Sequence, residues 1–148
     1  MNRKIIKSHI NILTKLIYNN FNNKTIEYQY DSIGNRAKMV CPDGKEIEYN
    51  YDFANNLTGI DYGSLKFSFQ YDGLNRILTK NYPNGIQIKH NYDSISRLTE
   101  LRCIKTNNEL LTFNQYTYDK VGNILSMKDN LGLHQYDYNK IYRLTGVK

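Results

Sequence analysis

The chain has 148 residues, enough for one domain or for part of a larger one. Its formal charge of +6 is uneven: Arg3, Lys4, Lys7, Lys15 and Lys24 stand without any acid, while everything after residue 24 is nearly neutral. That balance argues against a nucleic-acid surface, which needs basic residues along the body of the fold. The two cysteines, Cys41 and Cys103, have neither metal-ligand spacing nor the density of a disulfide framework.

At the N terminus, Lys7, Ser8 and His9 interrupt the apolar residues, so neither a signal peptide nor a membrane span is indicated. Residues 1–29 read as a basic segment containing a degenerate repeat over residues 10–29. An amphipathic helix with Ile6, Ile10, Leu13 and Ile17 on one face competes for the same stretch. The β-branched residues favour strands, and a short helix within residues 1–15 stays open.

From Tyr30 onward one pair dominates. Tyr-Asp occurs at Tyr30-Asp31, Tyr51-Asp52, Tyr71-Asp72, Tyr92-Asp93 and Tyr118-Asp119, with Tyr138-Asn139 as a sixth copy. The intervals are 21, 20, 21, 26 and 20 residues, the mark of one supersecondary unit in tandem. We number positions from each motif tyrosine as 0. Position 3 is apolar throughout: Ile33, Ala54, Leu74, Ile95, Val121 and Ile141. Position 4 is small or turn-prone (Gly34, Asn55, Asn75, Ser96, Gly122) except at Tyr142, and position 5 is always Asn or Arg. Position 6 is aliphatic except at Arg36.

Two residues before the motif tyrosine stands another aromatic, at Tyr28, Tyr49, Phe69, Tyr116 and Tyr136, with His90 in that place once. The alternation extends further back, as in Ile47-Tyr49-Tyr51, and a period of two predicts half-buried strands. A second turn falls within most repeats, at Pro42-Asp43-Gly44, Tyr62-Gly63-Ser64, Pro83-Asn84-Gly85 and Asp129-Asn130-Leu131-Gly132. The insertion of the 26-residue copy lies around Thr106-Asn107-Asn108. The expected fold is all-β: tandem hairpins of 20 to 21 residues in a curved, twisted antiparallel strip over residues 30–148, the last repeat incomplete.

The motif Asp has a local explanation. At the first position of a type I turn it caps backbone amides, and Gly34 or Gly122 suits the last position. Each turn offers one carboxylate, too few for calcium. His9, His90 and His134 lie far apart in sequence, and no nucleophile elbow, zinc-protease or phosphate-loop motif is present. No catalytic residue, metal ligand or cofactor is assigned.

The copies YDSIGNR from Tyr30, YDGLNRI from Tyr71, YDSISRL from Tyr92 and YDKVGNI from Tyr118 resemble the YD-repeat, or Rhs (rearrangement hotspot), family. The resemblance implies an open piece of a β-shell of the kind built by bacterial polymorphic toxins, the C components of insecticidal toxin complexes and teneurins. It further implies a secreted or cell-surface setting, with adjoining repeats or an enclosed toxin polypeptide as partners. The motif residues Tyr30, Asp31, Gly34, Tyr51, Asp52, Tyr71, Asp72, Tyr92, Asp93, Tyr118, Asp119, Gly122 and Tyr138 are then structural. The alternative is a carbohydrate-binding or cell-surface module stacking sugars on Tyr28, Tyr49, Tyr116 and Tyr136, if these are exposed. An unpaired strand at Leu144–Lys148 would favour self-association.

Overall fold

The computed structural model describes residues 14–20 and 24–148. Its strands are β1 (Thr14–Asn20), β2 (Lys24–Tyr30), β3 (Arg36–Val40), β4 (Glu46–Tyr51), β5 (Leu57–Tyr62), β6 (Leu65–Tyr71) and β7 (Ile77–Asn81). They continue as β8 (Ile86–Tyr92), β9 (Leu98–Lys105), β10 (Leu110–Tyr118), β11 (Ile124–Lys128), β12 (Leu133–Tyr138) and β13 (Leu144–Val147). The described residues contain no helix, and so none long and apolar enough to cross a membrane. The expected all-β hairpin array is what forms.

The strands fall into two compact units, one ending at Lys66 and one spanning Phe67–Lys148. In the first, β1 to β5 pair antiparallel in sequence order. In the second, β6 to β13 do the same. Thr14 pairs with Tyr30 and Asn20 with Lys24, so residues 14–20 and 24–30 are paired strands and the helix through Ile17 does not form; residues 10–13 and 21–23 of the expected degenerate repeat lie outside the described residues. Its crowded β-branched residues fit a pleated surface better than a helical turn. A helix earlier than Thr14 lies outside the described residues.

Five-residue turns follow every motif tyrosine and alternate with return turns, which have two to four residues at 63–64, 82–85, 106–109 and 129–132 and five at 41–45. Most strands have four to seven residues, but β9 has eight and β10 nine. These two absorb the long repeat. Every motif tyrosine also sits at a break in register. Tyr30 pairs with Arg36 while Gln29 pairs with Lys38, and the same step recurs at Tyr51, Tyr71, Tyr92, Tyr118 and Tyr138. One residue per repeat is left over in the following strand, a β-bulge that bends the pair and increases its twist.

Alternation decides the faces. In β4, Ile47, Tyr49 and Tyr51 are half-buried while Glu46, Glu48 and Asn50 are exposed. In β6, Phe67, Phe69 and Tyr71 oppose Lys66, Ser68 and Gln70 in the same way. Across the ladder the aromatic at position −2 meets an apolar partner in most repeats: Tyr28 with Met39, Tyr49 with Ile60, Tyr116 with Met127 and Tyr136 with Val147. Such cross-strand pairs are the unit of sheet stability. Only Ile104 and Thr79 have buried side chains among the described residues, and no described side chain is fully buried. Within each unit the apolar face is therefore a half-covered layer, where sheets ordinarily receive a second layer.

Candidate functional site

The recurrent site is the motif turn. Asp31 donates its amide to Asn35 O, and Gly34 returns its own amide to Asp31 O. The Asp31 carboxylate closes the loop from within: Oδ1 accepts from Ile33 N and Asn35 N, and Oδ2 from the Asn35 side chain. Asp52, Asp72, Asp93 and Asp119 repeat this arrangement. Asn139 keeps the two amide contacts through Oδ1. The short polar side chain at the start of a type I turn reaches these amides because they lie two and four residues on.

Position 4 has positive φ in all six turns: Gly34, Asn55, Asn75, Ser96, Gly122 and Tyr142. Glycine and asparagine accept that conformation readily, whereas Ser96 and Tyr142, with φ of 69° and 60°, accept it at some cost.

Position 5 connects one repeat to the next. Arg76 holds Asp72 Oδ2 through Nε at 2.7 Å. Its Nη1 reaches Asp93 O at 3.2 Å and Ser96 Oγ at 3.1 Å. The guanidinium lies 4.7 Å from the centre of the Tyr92 ring. Arg97 does the same one repeat later, with Asp93 Oδ2 at 2.6 Å, Asp119 O at 2.8 Å and the Tyr118 ring at 4.7 Å. Planar guanidinium suits simultaneous stacking and forked donation. Asn35 makes a shorter version, bonding Asp31 and Asn55. Arg36, the departure at position 6, instead stacks against Tyr28 and Tyr49, 4.5 and 5.8 Å from their centres.

The motif hydroxyls complete the link. Tyr51 donates to Arg36 O at 3.1 Å, Tyr92 to Ile77 O at 2.9 Å, Tyr118 to Leu98 O at 2.6 Å and Tyr138 to Ile124 O at 3.0 Å. Each acceptor is position 6 of the preceding repeat. These carbonyls are next to the bulge, where the ladder leaves an acceptor to satisfy. Sequence reasoning placed the tyrosines on strands but did not find this contact, since its signal is only the constancy of the interval.

Electrostatics are dominated by these donors. Amide donation from Asn56 and from Arg97 holds Asp52 and Asp93 below the ordinary carboxylate range. At Asp119 the Asn123 side chain has the largest effect, in the same direction. At Asp31 and Asp72 partial desolvation pulls upward, but the amides and side chains of Asn35 and Arg76 outweigh it and leave both carboxyls low. Partial burial pushes the Tyr51 and Tyr118 phenols up, which keeps them protonated as donors. Burial, with Lys80 close by, pulls His90 down against the hydrogen bond it donates to the backbone carbonyl of Leu78.

The remaining candidates do not converge. His90 stacks on Tyr92 at 6.5 Å and leaves Nδ1 without a hydrogen-bond partner. His134 Nε2 lies 3.5 Å from Asp129 Oδ2, an ion-pair distance without hydrogen-bond geometry. No group of three metal-ligating side chains gathers among the described residues. Cys41 and Cys103 are free thiols. An open cleft of about 670 Å³ in the first unit is lined by Lys45, Glu48, Asp61, Tyr62 and Lys66. Its carboxylates Glu48 and Asp61 are answered by Lys38 and Lys66 at 3.3 and 3.6 Å. Tyr28, Tyr49, Tyr116 and Tyr136 are half-buried, so their faces are only partly available.

No protein-family model matches this chain, and no curated protein matches it. Its fold does occur in solved toxin-complex structures. The Photorhabdus luminescens Tc holotoxin pore is 20% identical over 84% of this chain, with a TM-score of 0.74. TcdB2-TccC3 is 20% identical over 83%, with a TM-score of 0.75. TcdB2-TccC3 without its hypervariable C-terminal region is 20% identical over 83%, with a TM-score of 0.74. In each case this chain spans 7% of the length of the matched chain. At this identity the likeness is one of fold, and it is the fold that the YD-repeat resemblance implies.

Proposed function

We propose that this chain is a non-catalytic structural run of repeats, part of a shell-type strip that encloses or supports another polypeptide, in association with a toxin. One observation carries the reading: in each unit, a half-covered face of aromatic and aliphatic side chains, none of them fully buried among the described residues. A non-native polypeptide offers the apolar side chains to cover such a face, and the polar tips of tyrosine tolerate the water left between. The recurring Asp carboxylates are already engaged within their own turns, and Arg76, Arg97 and the bonded motif tyrosines by neighbouring repeats, which supports a structural role for the motif. Residues 30–148 form the array in this reading, preceded by a basic segment over residues 1–29 that holds a degenerate repeat.

Hydroxyl-radical footprinting tests it. A permanently unfolded polypeptide, such as reduced and alkylated α-lactalbumin, is the probe. Protection of Tyr49, Tyr116 and Tyr136, with the turns still labelled, is expected. Unchanged labelling overturns the reading. Protection of the same rings by an oligosaccharide mixture alone would replace it with the carbohydrate-binding alternative.

A further inference from the structure

Position 3 of the motif turn is unexplained by the fold. It contributes its amide to the cap, as Leu74 N does to Asp72 Oδ1 and Ile95 N to Asp93 Oδ1. Any residue provides that amide, and turns ordinarily favour Asn, Asp, Ser or Gly. Here the side chain is apolar in every copy and points away from the packing. Leu74, Ile95, Val121 and Ile141 are 62 to 66% exposed.

In the second unit the meander sets these four turns on one rim, after β6, β8, β10 and β12. Successive tips are two strand spacings apart, about 9.6 Å. The return turns lie on the opposite rim and read Pro83-Asn84-Gly85, Thr106-Asn107-Asn108-Glu109 and Asp129-Asn130-Leu131-Gly132, with Leu131 their one exposed large apolar residue. Apolar exposure in register is thus a property of the motif rim.

We propose that this row is a lateral docking rim whose occupant is the same row of a second copy, run antiparallel about a twofold axis. Three observations select that occupant. A row of fixed pitch matches a partner of equal pitch along its whole length, as the same repeat does. The motif carboxylates are turned inward onto their own amides, so the tips present no free acid, and position 2 reads Gly73, Ser94, Lys120 and Lys140, neutral at one end of the row and basic at the other. Antiparallel pairing sets Lys140 opposite Gly73 and Lys120 opposite Ser94, so no lysine faces a lysine. A parallel pairing would set each lysine against its own copy. Self-complementary contacts of this kind are isologous. The inference does not depend on what covers the aromatic face.

Sedimentation velocity on the full chain is the test, with circular dichroism to confirm that each variant keeps its strands. Concentration-dependent dimerisation through the micromolar range is expected, and its loss in the triple variant Leu74→Ser, Ile95→Ser, Val121→Ser. The double variant Gly73→Glu, Ser94→Glu should dimerise several-fold more tightly at low salt, since its new acids meet Lys140 and Lys120 of the other copy. A monomer at all concentrations overturns the proposal. So does dimerisation that survives the triple variant, which would place the contact at the β13 edge. Unchanged or weakened dimerisation of the Glu variant also overturns it, as does a wild-type chain that binds neutral lipid vesicles through these tips while remaining monomeric.

Discussion

The motif turn asks different things of each position, and the sixth copy shows which can be relaxed. Tyr142 holds a φ of 60° where Gly34 and Gly122 hold the same place without a Cβ. Tyr142→Gly is therefore expected to raise stability by roughly 0.5–1 kcal/mol, read from a denaturant midpoint; Gly122→Val should lower it. The carboxylates titrate below their ordinary range, so their contribution is complete above the unfolded carboxylate pKa and is lost as pH falls through the folded one. Acid titration should show stability falling below about pH 4, with a shallower fall in Asp52→Asn. His90 has the opposite chemistry and the same direction. Its folded pKa lies below the free value, so protonation of the unfolded chain removes stability as pH drops below about 6.5. His90→Phe, which restores the aromatic of the other repeats, should remove that slope between pH 5 and 7. At this scale the sequence was readable: a carboxylate two and four residues from the amides that donate to it is a local contact, and its residue types announce it. Tyr142 was visible only as an exception, because the strain it carries belongs to the backbone.

Among elements, the bond between repeats is the Arg-Tyr-carbonyl cluster. Tyr118→Phe removes one hydrogen bond, to Leu98 O, and is expected to cost about 1 kcal/mol. Arg97→Ala removes the stacking partner and the donors to Asp93 and Asp119 together. A double-mutant cycle on Arg97 and Tyr118 should return a coupling clearly above zero, whereas Arg97 with Tyr138, which bonds Ile124 O and shares no partner with Arg97, should be additive. Strand identity and hairpin order followed from alternation and turn residues. The bulge did not, because the residue it displaces has no common chemistry: Ala37, Thr58, Leu78, Thr99, Leu125 and Thr145 occupy that place. Nor did the cluster, since its partners are 14 to 22 residues apart and meet only once twist and register are set.

For the whole molecule, stability is spread along the chain, with no fully buried described side chain to act as a centre. Arrays of this kind gain stability from each unit and each junction. Ending the chain at Lys128, which removes β12 and β13, should lower the unfolding midpoint while preserving the β signal of the rest; total loss of that signal would show an all-or-none fold. The long β9–β10 hairpin has a further consequence. A chain of near-copies can pair a strand with the right partner type in the wrong place, because the same clamp would form one repeat away. A slip that set this pair of eight and nine residues against a hairpin of ordinary length would strand backbone donors and acceptors at its end. The odd repeat thus serves as an address: it tells otherwise interchangeable hairpins where in the queue they stand, and folding can count from it.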